Sequence, residues 1–256
     1  MLSYAKTLKG YSLSGLDGEI GSVKDFLFDD RHWTIRYLVA ETGNWLTGRK
    51  VLISPYAVSF ASHDNKLLSI DLTKGQIEEG PSLESHEPVS RQFEISYHSY
   101  FGWPIYWDGP YAWGAFPYLL LQAGRKLLAS MDPVPELDPN LRSTDDTTGI
   151  VINAKDGPIG RIKDFILDEK SWSIRYMVVE TGRWWPGRKV LLSPSWVERL
   201  EGSTELSVKA TLATVRTAPE FVEAPLVSRE YEALLHRHYR RPEYWLAPDG
   251  AKSHVD

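Results

Sequence analysis

Five ionisable residues recur at a constant spacing in this chain, and they are the residues best suited to chemistry. Asp25, Arg36, Glu41, Arg49 and Lys50 return 139 positions later as Asp164, Arg175, Glu180, Arg188 and Lys189. A glutamate of this set could act as a general base or hold a ligand, and an arginine could hold an anion.

A structural interpretation of the same residues competes with the catalytic one. In it, the segments 41–43 and 48–50 close a turn, and the charges pair across the mouth of a domain. We favour this interpretation because ion-pair networks also occur without catalysis. The residues still give the best candidates for a duplicated binding edge, namely Arg36, Glu41, Arg49, Arg175, Glu180 and Arg188.

Other reactive groups are scarce. The chain has seven histidines and no cysteine, which excludes disulfides, thiolate metal sites and cysteine nucleophiles. Only His98 and His236 occupy matching positions, and we interpret them as helix-packing or surface residues. No histidine stands at a metal-ligand spacing from a carboxylate, and the glycines of 15–21 lead into a strand rather than a helix. We therefore expect no metal, no cofactor and no catalytic residue.

The segments that contain these residues are themselves repeated in the sequence. Residues 18–58 align without a gap on residues 157–197, with 24 identities in 41 positions. Further on, residues 89–107 align on residues 227–245. The duplicated unit is therefore roughly 90 residues long, the size of a small domain.

Each unit begins with strand patterns and ends with a helix pattern. In the first copy, Trp33, Ile35, Tyr37 and Val39 alternate with other residues, and Trp172, Ile174, Tyr176 and Val178 repeat the pattern. This period of two predicts a strand with one buried face, and the short strands around it predict a small barrel of about six strands. Ser90 and Ser228 are predicted N-caps of amphipathic helices that end by Pro104 and Pro242.

Five segments follow from these patterns. We predict a first barrel over 1–82, a helix and an aromatic insert over 83–130, and a linker over 131–147. A second barrel then spans 148–219, and a C-terminal helix and tail span 220–256. The predicted fold is mainly β with short helices: two small barrels in tandem, each followed by an amphipathic helix and related by a pseudo-twofold axis.

The aromatic insert begins at Trp103 and ends at Leu121. One interpretation makes it a buried strap, and the other makes it an exposed patch for a partner or a membrane surface. We favour the strap for most of the rings because large exposed apolar patches are rare on soluble monomers. The tip of the insert supplies the contact candidates Trp107, Tyr111 and Trp113.

The repeated block also carries a family likeness. The stretches GEIGSVKDFLFDDRHWTIRYLVAETGNWLTGRKVLISPYAV and GPIGRIKDFILDEKSWSIRYMVVETGRWWPGRKVLLSPSWV each resemble a PRC-barrel domain. That family includes the cytoplasmic part of the photosynthetic reaction centre H chain and the C-terminal domain of the ribosome maturation factor RimM. The resemblance implies a small, strongly bent β-barrel used for assembly and docking, and it implies no active site.

Two functions of different classes follow. The first is a non-enzymatic assembly or docking protein that binds a protein partner. The alternative is an enzyme or small-ligand binder with one site between the copies, built from Arg36, Glu41, Arg175 and Glu180. The formal charge of −5 argues against nucleic acid. Without a signal peptide or a membrane-spanning run, we expect a cytoplasmic protein, and peripheral membrane contact and homo-oligomerisation stay open.

Overall fold

The computed structural model describes residues 1–46, 49–84, 89–106, 140–182, 187–198, 205–222 and 227–246. The chain divides into two compact units. The first-copy unit comprises Ala5–Asp145 and Lys170–Ser173. The second-copy unit comprises Met1–Tyr4, Asp146–Glu169 and Ile174–Asp256.

The strands up to residue 143 are β1 (Leu2–Tyr4), β2 (Ser12–Gly15), β3 (Gly18–Asp29), β4 (Thr34–Glu41), β5 (Arg49–Ile53), β6 (Val58–Ser62), β7 (Leu67–Ile70), β8 (Leu83–Glu84) and β9 (Leu141–Ser143). The α-helices before β9 are α1 (Ala5–Leu8), α2 (Lys74–Glu79) and α3 (Arg91–Phe101), and a 3-10 helix covers Pro55–Ala57.

The later strands are β10 (Val151–Ala154), β11 (Gly157–Asp168), β12 (Ser173–Thr181), β13 (Lys189–Leu192), β14 (Val197–Glu198) and β15 (Glu205–Val208). The later helices are α4 (Thr144–Thr147), α5 (Leu212–Arg216) and α6 (Arg229–His238), with 3-10 helices at Pro194–Trp196 and Tyr244–Leu246.

Six strands of the first-copy unit lie in the order β5-β4-β3-β2-β7-β6. Only the β2–β7 pair in this series is parallel. The 12-residue strand β3 changes register with β4 twice, between Val23 and Asp25 and between Leu27 and Phe28. Such irregularities bend a strand, which lets one long strand serve a small, curved sheet.

The second-copy unit has the same strand order, β13-β12-β11-β10-β15-β14. Its β10–β15 pair is parallel, like β2–β7. The prediction of a six-stranded arrangement in each copy is therefore confirmed. The predicted pseudo-twofold relation between the copies stays a prediction.

The predicted domain boundaries are wrong at two short strands. Within the predicted linker, β9 pairs antiparallel with β3 of the first-copy unit. At the N-terminus, β1 pairs antiparallel with β11, so residues 1–4 belong to the second-copy unit. Strands of three residues join a sheet mainly through backbone hydrogen bonds, so Leu141–Ser143 can pair without an apolar pattern.

The predicted one-sided burial of β4 is also wrong. Ile35 and Tyr37 are buried as expected, but Leu38 and Ala40 on the other face are buried too. A helix covers the face of β4 that carries Tyr37: Tyr37 belongs to an apolar cluster with Tyr97 of α3. Val39 is part-buried in the same cluster.

The predicted strand also begins one residue too early in each copy. Trp33 and Trp172 lie in the preceding turns with φ of 52° and 53°. Trp172 is buried, as are Ile174, Tyr176 and Val178, whereas Trp33 is only half-buried. The Trp172 carbonyl still accepts the N–H of Ile35 at 2.8 Å. The rings also make contacts: the Trp172 ring lies 6.4 Å from that of Phe26, and Trp33 stacks on Phe28 at 5.3 Å.

The repeated Gly-x-x-Gly opening has a steric cause. A Cβ at Gly21 would lie 2.0 Å from the carbonyl oxygen of Glu41, and one at Gly160 would lie 1.9 Å from that of Glu180. Only glycine allows this approach of the two backbones. The motif therefore determines the fold and does not bind a ligand.

Both predicted helix starts are confirmed. The Ser90 hydroxyl accepts the N–H of Phe93 at 3.1 Å, and the Ser228 hydroxyl accepts the N–H of Tyr231 at 3.2 Å. None of the helices in the described part of the chain has the length and hydropathy of a membrane span.

Candidate functional site

Several ionisable side chains of the first-copy unit contact the buried carboxylate of Glu94 on α3. The Tyr37 hydroxyl lies 3.1 Å from Glu94 Oε1 and 3.1 Å from His98 Nε2. The Tyr106 hydroxyl donates to the same Glu94 oxygen, and Arg91 lies 3.0 Å from the other one. We call Tyr37, Glu94, His98 and Tyr106 the first helix lock.

Local sequence explains how these four side chains meet. Glu94 and His98 stand four residues apart, so they share one face of α3. Gly102 ends the helix in the left-handed conformation, with φ of 70°. The chain then turns back, the carbonyl of Pro104 accepts from His98 Nδ1 at 2.9 Å, and Tyr106 reaches Glu94.

The second-copy unit builds the same cluster from Tyr176, Glu232, His236 and Tyr244, the second helix lock. The Tyr176 hydroxyl lies 2.9 Å from both Glu232 Oε1 and His236 Nε2. Tyr244 donates to Glu232 at 2.8 Å. The Pro242 carbonyl accepts from His236 Nδ1 at 2.7 Å, as Pro104 does in the first lock.

An arginine flanks each lock. Arg36 forms a buried ion pair with Asp29 at 3.0 Å, and its guanidinium lies 4.0 Å from the centre of the Tyr106 ring. Arg175 repeats this with Asp168 at 2.7 Å and with the Tyr244 ring at 4.2 Å. These two candidates from the sequence therefore stabilise the aromatic side of each lock.

Burial sets the ionisation of the first lock. It lowers the pKa of His98 to about 4, and the nearby charges of Arg36 and Arg91 act in the same direction, against the Pro104 hydrogen bond. The ring is therefore neutral near pH 7, with its one N–H directed at the Pro104 carbonyl. Burial likewise raises the pKa of Tyr37 far above its ordinary value, and the Glu94 charge adds to the effect.

The second lock shows the same directions. Burial lowers the pKa of His236 and raises that of Tyr176. The adjacent ion pair of the first lock is acid-resistant: burial alone would raise the pKa of Asp29, but hydrogen bonds from His32 and the Arg31 N–H, with the Arg36 charge, lower it to about 2.

These clusters contain the residue types of an acid–base site but lack access. Glu94 is 0% exposed, His98 1% and Tyr106 4%, so no substrate could reach the carboxylate without displacing α3. Each lock instead joins a barrel tyrosine to a helix, and its polar groups satisfy one another. We interpret both locks as structural.

Two further candidates bind backbone rather than a ligand. Arg49 donates to the carbonyls of Glu78 and Gly80 at 2.7 and 3.0 Å. Arg188 donates to the carbonyls of Arg216 and Ala218 at the equivalent place. These arginines hold the segments after α2 and α5 against β5 and β13.

The remaining candidates are also dispersed. Asp25 pairs with Lys9 at 3.0 Å and accepts from Thr144 at 2.6 Å, whereas Asp164 accepts the N–H of Phe165. Glu41 is exposed at the end of β4. Glu180 pairs with Lys163 at 2.8 Å.

Asp25 and Glu180 thus have partners outside the shared set. The expected pairing of the shared charges across a barrel mouth stays a prediction. Lys50 and Lys189 lie on β5 and β13.

The N-terminal part of the chain matches a known protein family. Residues 2–77 match the protein-family model described as PRC-barrel domain. This segment is a PRC-barrel domain. The matched residues run from β1 into α2 and stop before α3. The likeness of the second copy to the family rests on the internal repeat. A search of curated proteins found no match to the chain.

The aromatic insert follows the helix that covers the PRC-barrel segment. Its first rings are packed: Trp103 stacks on Phe101 with centroids 4.6 Å apart, and Tyr106 completes the first lock. This fits the predicted strap for these two rings. The contact candidates Trp107, Tyr111 and Trp113 lie outside the described residues.

A surface cleft occurs at the same place in both copies. In the PRC-barrel segment and α3, Tyr56, Asp71, Gln76, Tyr100 and Trp103 are among the residues that line a cleft of about 470 Å³. In the second copy the equivalent cleft, of about 640 Å³, lies beside Trp196, Thr214 and Tyr239. We call them the first cleft and the second cleft.

Sequence reasoning missed two features here. Glu94 and Tyr106 are identical to Glu232 and Tyr244 in the self-alignment, so the repeat already contained the signal for the locks. The clefts had no such signal, because their lining residues differ between the copies. The described residues contain no group of three or more histidine, aspartate or glutamate side chains placed to hold a metal ion.

Proposed function

We propose that this protein is a non-enzymatic assembly or docking protein, in which a PRC-barrel segment and its second copy form rigid frames for a protein partner. One observation carries the proposal. The tyrosine, glutamate and histidine side chains that could form an acid–base site lie in matching helix locks in both copies, whereas the residues around the matching clefts differ. A frame that is retained while its surface diverges is what a docking protein needs.

The polar residues common to both copies support the same conclusion. Arg49 and Arg188 hold backbone carbonyls, and Arg36 and Arg175 pair with aspartates beside the locks. A catalytic group needs a reactive atom within reach of a substrate. Glu94, the most enclosed carboxylate of the set, is 0% exposed.

The enzyme alternative relied on Arg36, Glu41, Arg175 and Glu180. Arg36 is 1% exposed and paired with Asp29, and Glu180 is paired with Lys163. Arg175 is paired with Asp168, so each of the three paired residues has a partner within its own unit, which supports docking over that site. The expected cytoplasmic location stays a prediction.

Affinity capture with the full chain tests the proposal. Tagged wild type is returned to cells of the source organism, and bound proteins are identified by mass spectrometry. We expect a partner that a Glu94→Gln protein also captures whenever it is folded, because Glu94 acts in the helix lock and not at the surface. Melting curves of both proteins establish that they are folded.

A deletion of residues 107–113 in the same assay distinguishes a packing role of the aromatic tip from a role in partner contact. Loss of the partner with an unchanged melting temperature would assign docking to the aromatic tip. Retention of the partner with a lowered melting temperature would assign a packing role to the tip. Absence of any reproducible partner for the folded wild type, or turnover of a metabolite in an extract, would overturn the docking proposal.

A further inference from the structure

The second cleft is strongly basic. It lies between the 3-10 helix Pro194–Trp196, the segment after β15 and the end of α6. Five of its lining residues are basic: Lys155, Lys209, His238, Arg240 and Arg241. Four of them carry a full positive charge at neutral pH, in a chain whose formal net charge is −5.

The first copy shows that the fold does not need these charges. In the self-alignment the five positions are occupied by Leu16, Asp71, Tyr100, Gly102 and Trp103. The first copy thus has one negative charge where the second has four positive charges. Cations near a helix C-terminus are favourable in general, but α3 ends at the same place without them.

The basic side chains have no acidic partner within the described part of the chain. Lys155, Lys209, Arg240 and Arg241 form no ion pair among the residues that the structure describes. Asp156, the acidic neighbour of Lys155, accepts the N–H of Leu212 at 2.6 Å. Like charges around one cleft repel each other, so an anionic ligand would relieve a cost that the fold alone does not compensate.

The backbone around the cleft narrows the kind of anion. The N–H groups of Lys155 and Lys209 donate to the carbonyls of Ala210 and Trp196, at 2.9 and 3.0 Å. Those of Arg240 and Arg241 donate to carbonyls of α6. Phosphate sites usually rely on free backbone N–H groups at a loop or helix start, and these four are occupied. Recognition must therefore come from side chains.

The placement of these side chains favours several anionic groups over one. Lys155 lies in the β10–β11 turn, Lys209 follows β15, and Arg240 and Arg241 follow α6, so the charges surround the cleft from three segments. Between them lie the rings of Trp196 and Tyr239, whose centroids are 4.6 Å apart. A cationic rim with an aromatic floor fits a peptide that carries carboxylates beside apolar side chains.

We propose that the second cleft binds an acidic segment of the partner protein, with carboxylates on Lys155, Lys209, Arg240 and Arg241 and an apolar side chain against the half-buried Tyr239 ring. This inference rests on the proposed docking function and deepens it. The first cleft, with Asp71 and aromatic rings at the equivalent positions, would not bind the same segment.

A peptide titration tests the proposal directly. The probe is a fluorescein-labelled peptide of four Glu-Glu-Leu repeats, and the control replaces every Glu by Gln. Anisotropy is measured with the full chain at low and at physiological salt. We expect the Glu peptide to bind, the Gln peptide not to bind, and the affinity to fall as salt rises.

Matched charge reversals locate the binding. Lys155→Glu with Lys209→Glu should weaken binding by about tenfold or more. Lys24→Glu with Lys66→Glu, at two exposed lysines of the first-copy unit, changes the net charge equally and should leave the affinity within about twofold. Lys209→Asp, which copies the first cleft, should weaken binding in the same direction. All four substituted positions are exposed side chains, and melting curves confirm that each variant is folded.

Several results would overturn the proposal. If both double variants lost affinity equally, the effect would be a general charge effect and not specific to the cleft. If wild type did not bind the Glu peptide, an acidic peptide would not be the ligand. Cleft-dependent binding of pyrophosphate, or of vesicles with anionic lipid, without binding of the peptide would assign the cleft to another anion. If the captured partner survives the Lys155 and Lys209 reversal, the cleft proposal fails while the docking function stands.

Discussion

His98 makes the stability of the first-copy unit depend on pH. In the folded protein its pKa is about 4, and in an unfolded chain it is about 6.5. As the pH falls below 6.5, His98 becomes protonated in the unfolded chain but stays neutral in the folded protein. Stability is therefore fully present above about pH 6.5 and is lost as the pH falls towards 4.

The size of the effect follows from the two pKa values. Between pH 7 and pH 5 the linkage relation gives a loss of about 2 kcal/mol from this histidine alone. A His98→Asn protein lacks the titrating ring but keeps a side-chain N–H for the Pro104 carbonyl. It should be less stable at pH 7, yet lose about 2 kcal/mol less than wild type between pH 7 and pH 5.

Hydrogen exchange of the α3 amides measures this locally. Protection of Arg91–Phe101 is compared at the two pH values, after correction for intrinsic exchange rates, in wild type and His98→Asn. His236→Asn should change the protection of α6 in the same direction, because burial also lowers the pKa of His236. An NMR titration that places the pKa of His98 above about 6, or equal pH dependence in both proteins, would refute the reasoning.

Three further predictions concern the frame. In urea unfolding, Gly21→Ala should destabilise the fold by about 3 kcal/mol or more, because the added Cβ would lie 2.0 Å from a backbone carbonyl oxygen. Gly43→Ala should cost only about 1 kcal/mol, because the space around Gly43 is open and only its φ of 63° opposes alanine. Trp172→Ala should cost about 3–5 kcal/mol, and the half-buried Trp33→Ala roughly half as much; equal costs would contradict the burial. Removal of residues 2–4 should lower the protection of β11 amides against exchange and leave β4 protected.

Much of the frame could be predicted because its determinants are local. The Ser90 cap depends on a hydroxyl and an N–H three residues later, which sequence alone reveals. The many short strands were expected from short apolar runs at regular spacing, whereas their order was not. Gly21 was recognised as part of a fold motif, and its steric role confirms that interpretation.

The errors have physical causes as well. Arg36 was considered only with the charges common to both copies, as part of a mouth or a binding edge, but its partner is the buried Asp29, whose charge permits burial. β4 was given one buried face because alternation cannot reveal that the Tyr37 face packs on a helix while Leu38 and Ala40 are buried as well. The second cleft was missed because Lys155, Lys209 and Arg240 are far apart in sequence and form a basic set only after folding.

The pairing of β1 with β11 has a consequence for the order of folding during synthesis. Leu2 is synthesised long before Asp168, with which it pairs. The first-copy unit also waits, since it includes Lys170–Ser173. Neither unit can close until translation has passed residue 173, and a chain released near residue 139 would expose β3 without β9. Until then the nascent protein carries unpaired strand edges, which are prone to pair with other chains.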